Sequence, residues 1–193
     1  MSLLSKSPRA PRWHRALALL LVLSLSNGCG YALAGHGSFL PEYIKQIGIP
    51  PFANQTSYFD IAQILTDKVR TEFIGRGRYK ILPEAAGADA VLTGTITSIS
   101  ILPAAFGAQQ QASRYTITVT ANIELRDARE NKVLWSNPAV AVRDEIDSTG
   151  AAVSNDPAAP VDPSAFFNQE TSAVQRVGDE FARSVVSAIL EAF

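Results

Sequence analysis

The chain contains a single cysteine, and its position predicts covalent attachment of lipid. Cys29 follows a basic start, a ten-residue apolar run from Ala16 to Leu25, and the small residue Gly28. This order is typical of an export signal, and a cysteine directly after the small residue is what a lipoprotein signal requires. Ser26 stands where such signals usually have Leu. We expect cleavage before Cys29, a diacylglycerol on its thiol and an acyl chain on its amino group.

The same segment predicts where the protein resides. A helix needs about 20 apolar residues to span a bilayer, so the apolar run is too short to be a stable anchor. Two or three acyl chains exceed the roughly two-signal threshold for stable anchoring. Gly30 follows the cysteine, rather than the Asp that commonly retains lipoproteins in the inner membrane. We therefore expect lipid anchorage at the periplasmic face of the outer membrane. The alternative is a buried or disulfide-bonded Cys29, which is disfavoured because a lone cysteine has no intrachain partner.

Few other residues offer catalytic or metal chemistry. His14 leaves with the signal and His36 follows soon after it, so residues 37–193 contain neither His nor Cys. This composition excludes a zinc site, a Cys-His pair and a Ser-His-Asp triad from the body of the protein. We predict no enzyme activity, no metal and no cofactor. A hydrolase that uses two carboxylates is the enzyme alternative, but no spacing in the chain forces two acidic residues together.

The charge of the mature chain argues against nucleic acid as a partner. The signal, residues 1–28, takes four of the 17 basic residues and none of the 18 acidic ones, which leaves a formal charge of −5. Binding to nucleic-acid phosphates needs a basic surface, which this composition does not supply.

Removal of the signal leaves enough chain for one domain with a core of its own. We assign residues 29–42 to a lipidated tether and residues 43–193 to a single domain. Within this domain, residues 148–163 are rich in Ala, Asp, Ser and Pro and are predicted to form a flexible connector.

Hydrophobic periodicity predicts a long antiparallel hairpin. Apolar and polar residues alternate strictly from 113 to 126, which indicates a strand with one buried face. A polar turn at 127–131 precedes a second apolar segment that continues to Ile146. Pro138 cannot donate to a ladder of hydrogen bonds, so it predicts an edge position or a bulge in the second arm.

The remaining elements complete an α+β domain. The pattern predicts strands at 43–49, 79–82 and 90–101, a helix from Ile61 to the glycines at 75–77, and a C-terminal helix capped by Ser164. A shift of the apolar phase within the strand at 90–101 indicates a bulge near Thr97. The order predicts a two-layer sandwich, with two helices on one face of a mixed or antiparallel sheet of about four to five strands. Its predicted core comprises Val69, Phe73, Ile117, Val119, Ile123, Val177 and Phe181.

Several segments resemble one family, in order along almost the whole mature chain. They are Cys29-Gly-Tyr at its start, residues 40–56 with Pro-Pro-Phe-Ala-Asn, residues 65–80, residues 88–96, the strand at 115–125 and Val133-Leu-Trp135. Together they resemble the LptE family of lipopolysaccharide-assembly lipoproteins. The resemblance implies a non-enzymatic plug inside the β-barrel of LptD, which assists barrel assembly and binds lipopolysaccharide. The alternative is a periplasmic adaptor like TolB or LpoB that docks on another envelope complex. These proteins have similar short sequence motifs on a similar β-α-β unit.

The basic residues that contact lipopolysaccharide in the family are missing here. They lie in the loop before the long strand and near the start of the last helix, but residues 102–112 and 154–163 contain no Lys or Arg. Arg114 is the nearest candidate for a phosphate or sugar-acid contact. A solvated arginine at a strand end is the alternative, since exposed charges usually contribute little.

Three other features have simple structural interpretations. The alternating charges at 126–132 predict a solvated turn. Tyr115 and Trp135 fall on apolar strand positions, so we expect core packing rather than an aromatic platform for sugars. The uncharged segment 106–112 is suited either to a partner's wall or to an ordinary surface loop.

Overall fold

In the part of the chain that the structure describes, three helices cover one face of a six-stranded mixed sheet. The computed structural model describes residues 40–106, 112–147 and 161–193. The strands are β1 (Gln46–Gly48), β2 (Ala53–Asn54), β3 (Lys80–Leu82), β4 (Ala90–Phe106), β5 (Ala112–Asp127) and β6 (Val133–Asp147), and the helices are α1 (Ile61–Gly75), α2 (Pro163–Gln169) and α3 (Thr171–Leu190). The predicted α+β class and two layers are confirmed. The sheet has six described strands rather than the four to five predicted. The additional strand is β2, which pairs with β4 and is too short to produce a recognisable alternation of apolar and polar residues.

The sheet joins a short parallel part to a long antiparallel part. The strand order is β3-β1-β4-β5-β6. β1 runs parallel to both β3 and β4, and α1 provides the crossover between β1 and β3 that parallel strands require. β4, β5 and β6 are antiparallel along most of their length.

The predicted bulge in β4 is confirmed. The pairing with β5 passes from Ile96 opposite Ala121 directly to Ser98 opposite Thr120, so Thr97 is the extra residue. The bulge returns Ile101 to the buried face, where it is 2% exposed. β4 then continues to Phe106, and the loop predicted at 102–112 is wrong in its first part because the pairing with β5 persists there. Residues 107–111 lie outside the described residues.

The β5–β6 hairpin also follows its prediction. β5 alternates as expected, and the turn after Asp127 is closed by Asn131, whose φ of 54° is tolerated by asparagine. Pro138 lies where the register of β6 shifts, and β6 forms one edge of the described sheet. Proline therefore occupies both an edge strand and an irregularity, where its missing N–H costs no ladder bond.

The C-terminal segment forms two helices rather than one. Glu170 adopts φ −110° and ψ 62°, which interrupts the helical hydrogen bonding between α2 and α3. The predicted cap at Ser164 is wrong. Asp162 accepts a hydrogen bond from the Ala165 backbone N–H at 2.8 Å, while the Ser164 hydroxyl donates to the Ser57 carbonyl. Pro163 begins α2, so the predicted connector ends before it, and residues 148–160 lie outside the described residues.

The break between α2 and α3 directs two phenylalanines into the core. Phe166 packs edge-on against Tyr115 with ring centroids 5.2 Å apart, and Phe167 packs against Tyr58 at 5.0 Å. All seven residues of the predicted core are buried in this one cluster.

Candidate functional site

Two residues carry the sequence-based predictions of function, Cys29 and Arg114. Cys29 lies outside the described residues, and its acylation stays a prediction. Arg114 lies opposite Asp147, at the end of the β5–β6 ladder. Its Nε donates a hydrogen bond to Asp147 Oδ1 at 2.8 Å, and its Nη1 lies 3.8 Å from Glu145 Oε2. Any external phosphate at this position competes with two carboxylates, and a contact with lipopolysaccharide stays a prediction.

The charges at the β5–β6 turn are more ordered than a solvated turn. Asp127 is 1% exposed and accepts hydrogen bonds from the Tyr43 hydroxyl at 2.5 Å and from the Arg129 backbone N–H at 2.6 Å. The Arg129 guanidinium bonds to Asp89 at 2.6 Å and lies 5.2 Å from the centre of the Tyr43 ring. Asp89 also accepts two backbone N–H groups at the start of β1. We call Tyr43, Asp89, Asp127 and Arg129 the turn cluster.

The turn cluster is electrostatically satisfied. The N–H of Lys45 and the guanidinium of Arg129 hold the pKa of Asp89 below its usual value. The hydrogen bond from Tyr43 lowers the pKa of Asp127, and the same bond raises the pKa of Tyr43. At neutral pH both carboxylates are therefore charged and the phenol is protonated, so no member is poised to exchange a proton in catalysis. The cluster joins the start of the domain, the strand β4 and the hairpin turn.

One sequence signal could have revealed this cluster. Asp127 continues the inward phase of β5, two residues after the buried Leu125, so the alternation itself places a carboxylate on the buried face. A buried carboxylate requires hydrogen-bond partners. The alternating positive and negative charges at 126–132 are also typical of an ordinary polar turn, so the buried carboxylate was not recognised from the sequence.

The two aromatic candidates have the structural role that was predicted. Tyr115 is 1% exposed and packs against Phe166. Trp135 is partly buried against the core.

The face of β4, β5 and β6 opposite the helices is largely polar, although Leu102, opposite Thr116, is 54% exposed on it. Its rows run across the strands as Ser98–Thr120–Ala141 and Ser100–Thr118–Arg143. We call one set of outward residues the hydroxyl face; it comprises Ser98, Ser100, Thr116, Thr118, Thr120 and Asn122. The helices lie against the other side of the sheet, where the core is.

The outward side of the helices is charged instead. A groove of about 550 Å³ separates α1 from α3, and the ion pair between Lys68 Nζ and Asp179 Oδ1, 2.7 Å long, bridges it. Asp67, Glu72 and Arg183 also line this groove. Within the described ranges, no group of three or more His, Cys, Asp or Glu residues could hold a metal ion. Among the described helices, none combines the length and the hydropathy that crossing a bilayer requires.

A comparison with protein families identifies the chain. The sequence profile of the family described as LptE, lipopolysaccharide-assembly, matches residues 44–189 of the 193. The chain belongs to the LptE family. The match runs from just before β1 to the last turn of α3, and it includes Arg114, the hydroxyl face and every member of the turn cluster except Tyr43. No match was found among curated proteins.

Several solved structures are similar to this LptE-family chain. The minor lipoprotein from Acinetobacter baumannii is 12% identical, with 79% of this chain and 95% of that chain covered and a TM-score of 0.45. The rare lipoprotein B from Shewanella oneidensis is also 12% identical, with 77% and 98% covered and a TM-score of 0.40. Lipoprotein GNA1162 from Neisseria meningitidis is 20% identical, with 68% and 96% covered and a TM-score of 0.39. The family assignment rests on the sequence match alone.

Proposed function

We propose that this protein is a lipid-anchored plug of the LptD β-barrel that assists lipopolysaccharide transport and assembly at the outer membrane. The observation that carries the proposal is the family match across residues 44–189. In this proposal, acylated Cys29 anchors the protein at the periplasmic face, and the folded domain occupies the lumen of the barrel without performing catalysis.

The surface of the domain supports a position inside a barrel. The lumen of an outer-membrane barrel is polar, whereas its outer wall is apolar. Both broad sides of the domain are largely polar, with short hydroxyl and amide side chains on β4 and β5, charged side chains on β6 and ion pairs on the helices. Leu102 on the sheet and Ile74 on α1 are exposed apolar exceptions. A domain with this surface loses little on leaving bulk water for a hydrated lumen.

Arg114 is the proposed contact for lipopolysaccharide. Its guanidinium is about half exposed and lies next to the carboxylates of Glu145 and Asp147. Guanidinium is the cation best suited to bidentate binding of phosphate. A phosphate that binds here either uses the Nη groups beside the bond from Nε to Asp147 or displaces that carboxylate.

Co-purification in mild detergent tests the plug. We expect the protein to be recovered from its own envelope with a large β-barrel. Cross-linkers in the β5–β6 turn and at Leu102 should capture the same barrel in intact membranes, because both positions lie near the ends of long strands. Recovery instead with peptidoglycan synthases or with a soluble periplasmic complex would replace the plug with the adaptor alternative.

A charge reversal tests the lipopolysaccharide contact separately. Arg114→Glu should lower the lipopolysaccharide retained by the purified complex while the barrel is still captured. Arg183→Glu is the matched control, because Arg183 is an exposed arginine that pairs with Glu180 on α3 and gives the same change in net charge. Equal lipopolysaccharide retention by the two variants would show that Arg114 makes no specific contact.

A further inference from the structure

The strand β6 is an open edge of the described sheet. Among the described strands only β5 pairs with it, so its other side presents backbone N–H and C=O groups that no described strand takes up. A long, regular edge of this kind is a template on which another chain can add a strand, and proteins usually protect it with proline, bulges or charged side chains. The two halves of β6 differ in this protection.

The first half of β6 is protected by its irregularity. Its pairing with β5 shifts register twice between Val133 and Val140, and Pro138 lies within one of these shifts. The second half, from Val140 to Asp147, pairs with β5 residue by residue without a shift and contains no proline. This regular half is therefore the part of the edge on which a second strand could add.

One arginine of α3 covers the middle of the regular half. Arg176 Nη2 donates a hydrogen bond to the Glu145 backbone carbonyl at 3.2 Å and lies 3.2 Å from Asp144 Oδ2. The Arg176 side chain is 56% exposed, so it approaches β6 from the open side and not through the core. The Glu145 carbonyl therefore faces away from β5. Since the backbone groups of alternate residues in a strand face the same way, those of Arg143 also face the open side.

Without this cover, the regular half of β6 is complementary to itself. In an antiparallel pair of two β6 strands with the two-fold axis at Asp144, Arg143 of each copy lies opposite Glu145 of the other. The backbone groups of both residues face the open side, so they match the hydrogen-bonded positions of such a pair. Opposite charges directly across two strands stabilise their pairing. A second copy of this chain is therefore the strand that fits the uncovered edge, in the self-complementary manner of a two-fold interface.

We propose that the ion pair of Arg176 and Asp144 closes the open edge of β6 and keeps a second copy of this chain from adding there as a strand. The Arg176 guanidinium occupies a carbonyl that the second strand needs at the centre of the pair. Displacing the guanidinium leaves Asp144 unpaired opposite its own counterpart at the two-fold axis, and like charges directly opposite each other are destabilising. This role of the ion pair is independent of the proposed barrel partner.

A double substitution tests the closed edge. Asp144→Asn combined with Arg176→Ala removes both the cover and the repulsion, and it should double the mass of the full chain, measured by sedimentation in mild detergent without a partner. The wild type should be monomeric, as should Arg183→Ala, which removes an exposed arginine paired with Glu180 on the same helix. Thermal unfolding verifies that each variant is folded, and Asp144→Ser with Arg176→Ser replaces the first pair if that variant does not fold. A folded double variant that stays monomeric, or a wild type that is already dimeric, would overturn the proposal.

Charge reversal at the facing positions tests the register of the pair. Arg143→Glu, added to the double variant, places two glutamates opposite each other and should restore the monomer. Adding Glu145→Arg as well exchanges the two charges and should restore the dimer. A dimer that persists with Arg143→Glu would come from another surface, and it would overturn the assignment of self-pairing to this edge.

Discussion

At the scale of single residues, Thr66 shows how one side chain joins two elements. Its hydroxyl donates to the Ala62 carbonyl at 2.5 Å within α1 and accepts the Phe52 backbone N–H at 3.0 Å. Thr66 is 1% exposed, so the Phe52 N–H has little access to water. Thr71 makes the same bond within the helix, to the Asp67 carbonyl, but it is exposed. The two threonines share the bond within the helix and differ in burial and in the second bond, which only Thr66 is shown to make.

Replacing each threonine by valine measures that bond. Thr66→Val keeps the shape of the side chain but leaves a buried N–H without an acceptor, and we expect the free energy of unfolding to fall by about 1–3 kcal/mol. Thr71→Val should change it by less than about 0.5 kcal/mol, as surface substitutions usually do. Urea unfolding of both variants gives the comparison. A similar loss in both would mean that Thr66 stabilises only its own helix.

The turn cluster makes stability depend on acid. The pKa values of Asp89 and Asp127 are lowered in the folded protein, so these carboxylates stabilise the fold above the pKa of the unfolded chain, about 4. This stabilisation is lost as the pH falls below about 4 and through the lower folded pKa values. Asp127→Asn should therefore flatten the decline of stability below pH 4, measured by urea unfolding at several pH values. Asp60→Asn, at an exposed aspartate, is the control, and an unchanged slope in Asp127→Asn would contradict the role of the cluster.

At the scale of elements, α3 is the main helix of the core. Phe181 is completely buried, and Phe59, just before α1, is 87% exposed. Phe181→Ala should lower the free energy of unfolding by about 3–5 kcal/mol, because it removes a large apolar side chain and leaves a cavity. Phe59→Ala, the same change at the surface, should leave stability nearly unaltered. Chemical unfolding compares the two, and an unchanged stability in Phe181→Ala would place α3 outside the core.

The elements that the sequence predicted are those with a local period. β5 alternates through 14 residues, and α1 repeats its apolar residues every fourth position, so each pattern fixes a buried face without knowledge of the partner. The interruption at Glu170 and the strand β2 have no such period. Both depend on distant contacts, since Phe167 packs on Tyr58 and β2 pairs with residues 95–96 of β4. Tertiary contacts of this kind cannot be inferred from local spacing.

At the scale of the whole molecule, polar groups are sorted between two broad sides. One side has short hydroxyl groups on β4 and β5 beside Arg143 and Glu145 of β6, and the other has ion pairs on the helices. The sequence predicted the polar sheet face from alternation, but not the pairing of Arg114 with Asp147, which comes from the register of two strands. The register also determines which hydroxyl groups share a row. The sequence therefore predicts on which face of the sheet the site residues lie, but not which residues they contact.

The proposed attachment to the membrane also concerns the whole molecule, and it rests on the predicted acylation of Cys29. The order of a basic start, a short apolar run and Gly28 before the cysteine predicts that the mature chain begins there with acyl groups. Intact-mass analysis of protein extracted from its own envelope should show the added acyl mass, and Cys29→Ala should abolish it. Ser26→Leu, which supplies the residue more usual in such signals, should keep the acyl mass and not reduce the processed fraction. An unmodified thiol in the membrane-extracted protein would remove the lipid anchor from the proposed function, while the LptE-family domain that follows it would stand on its own evidence.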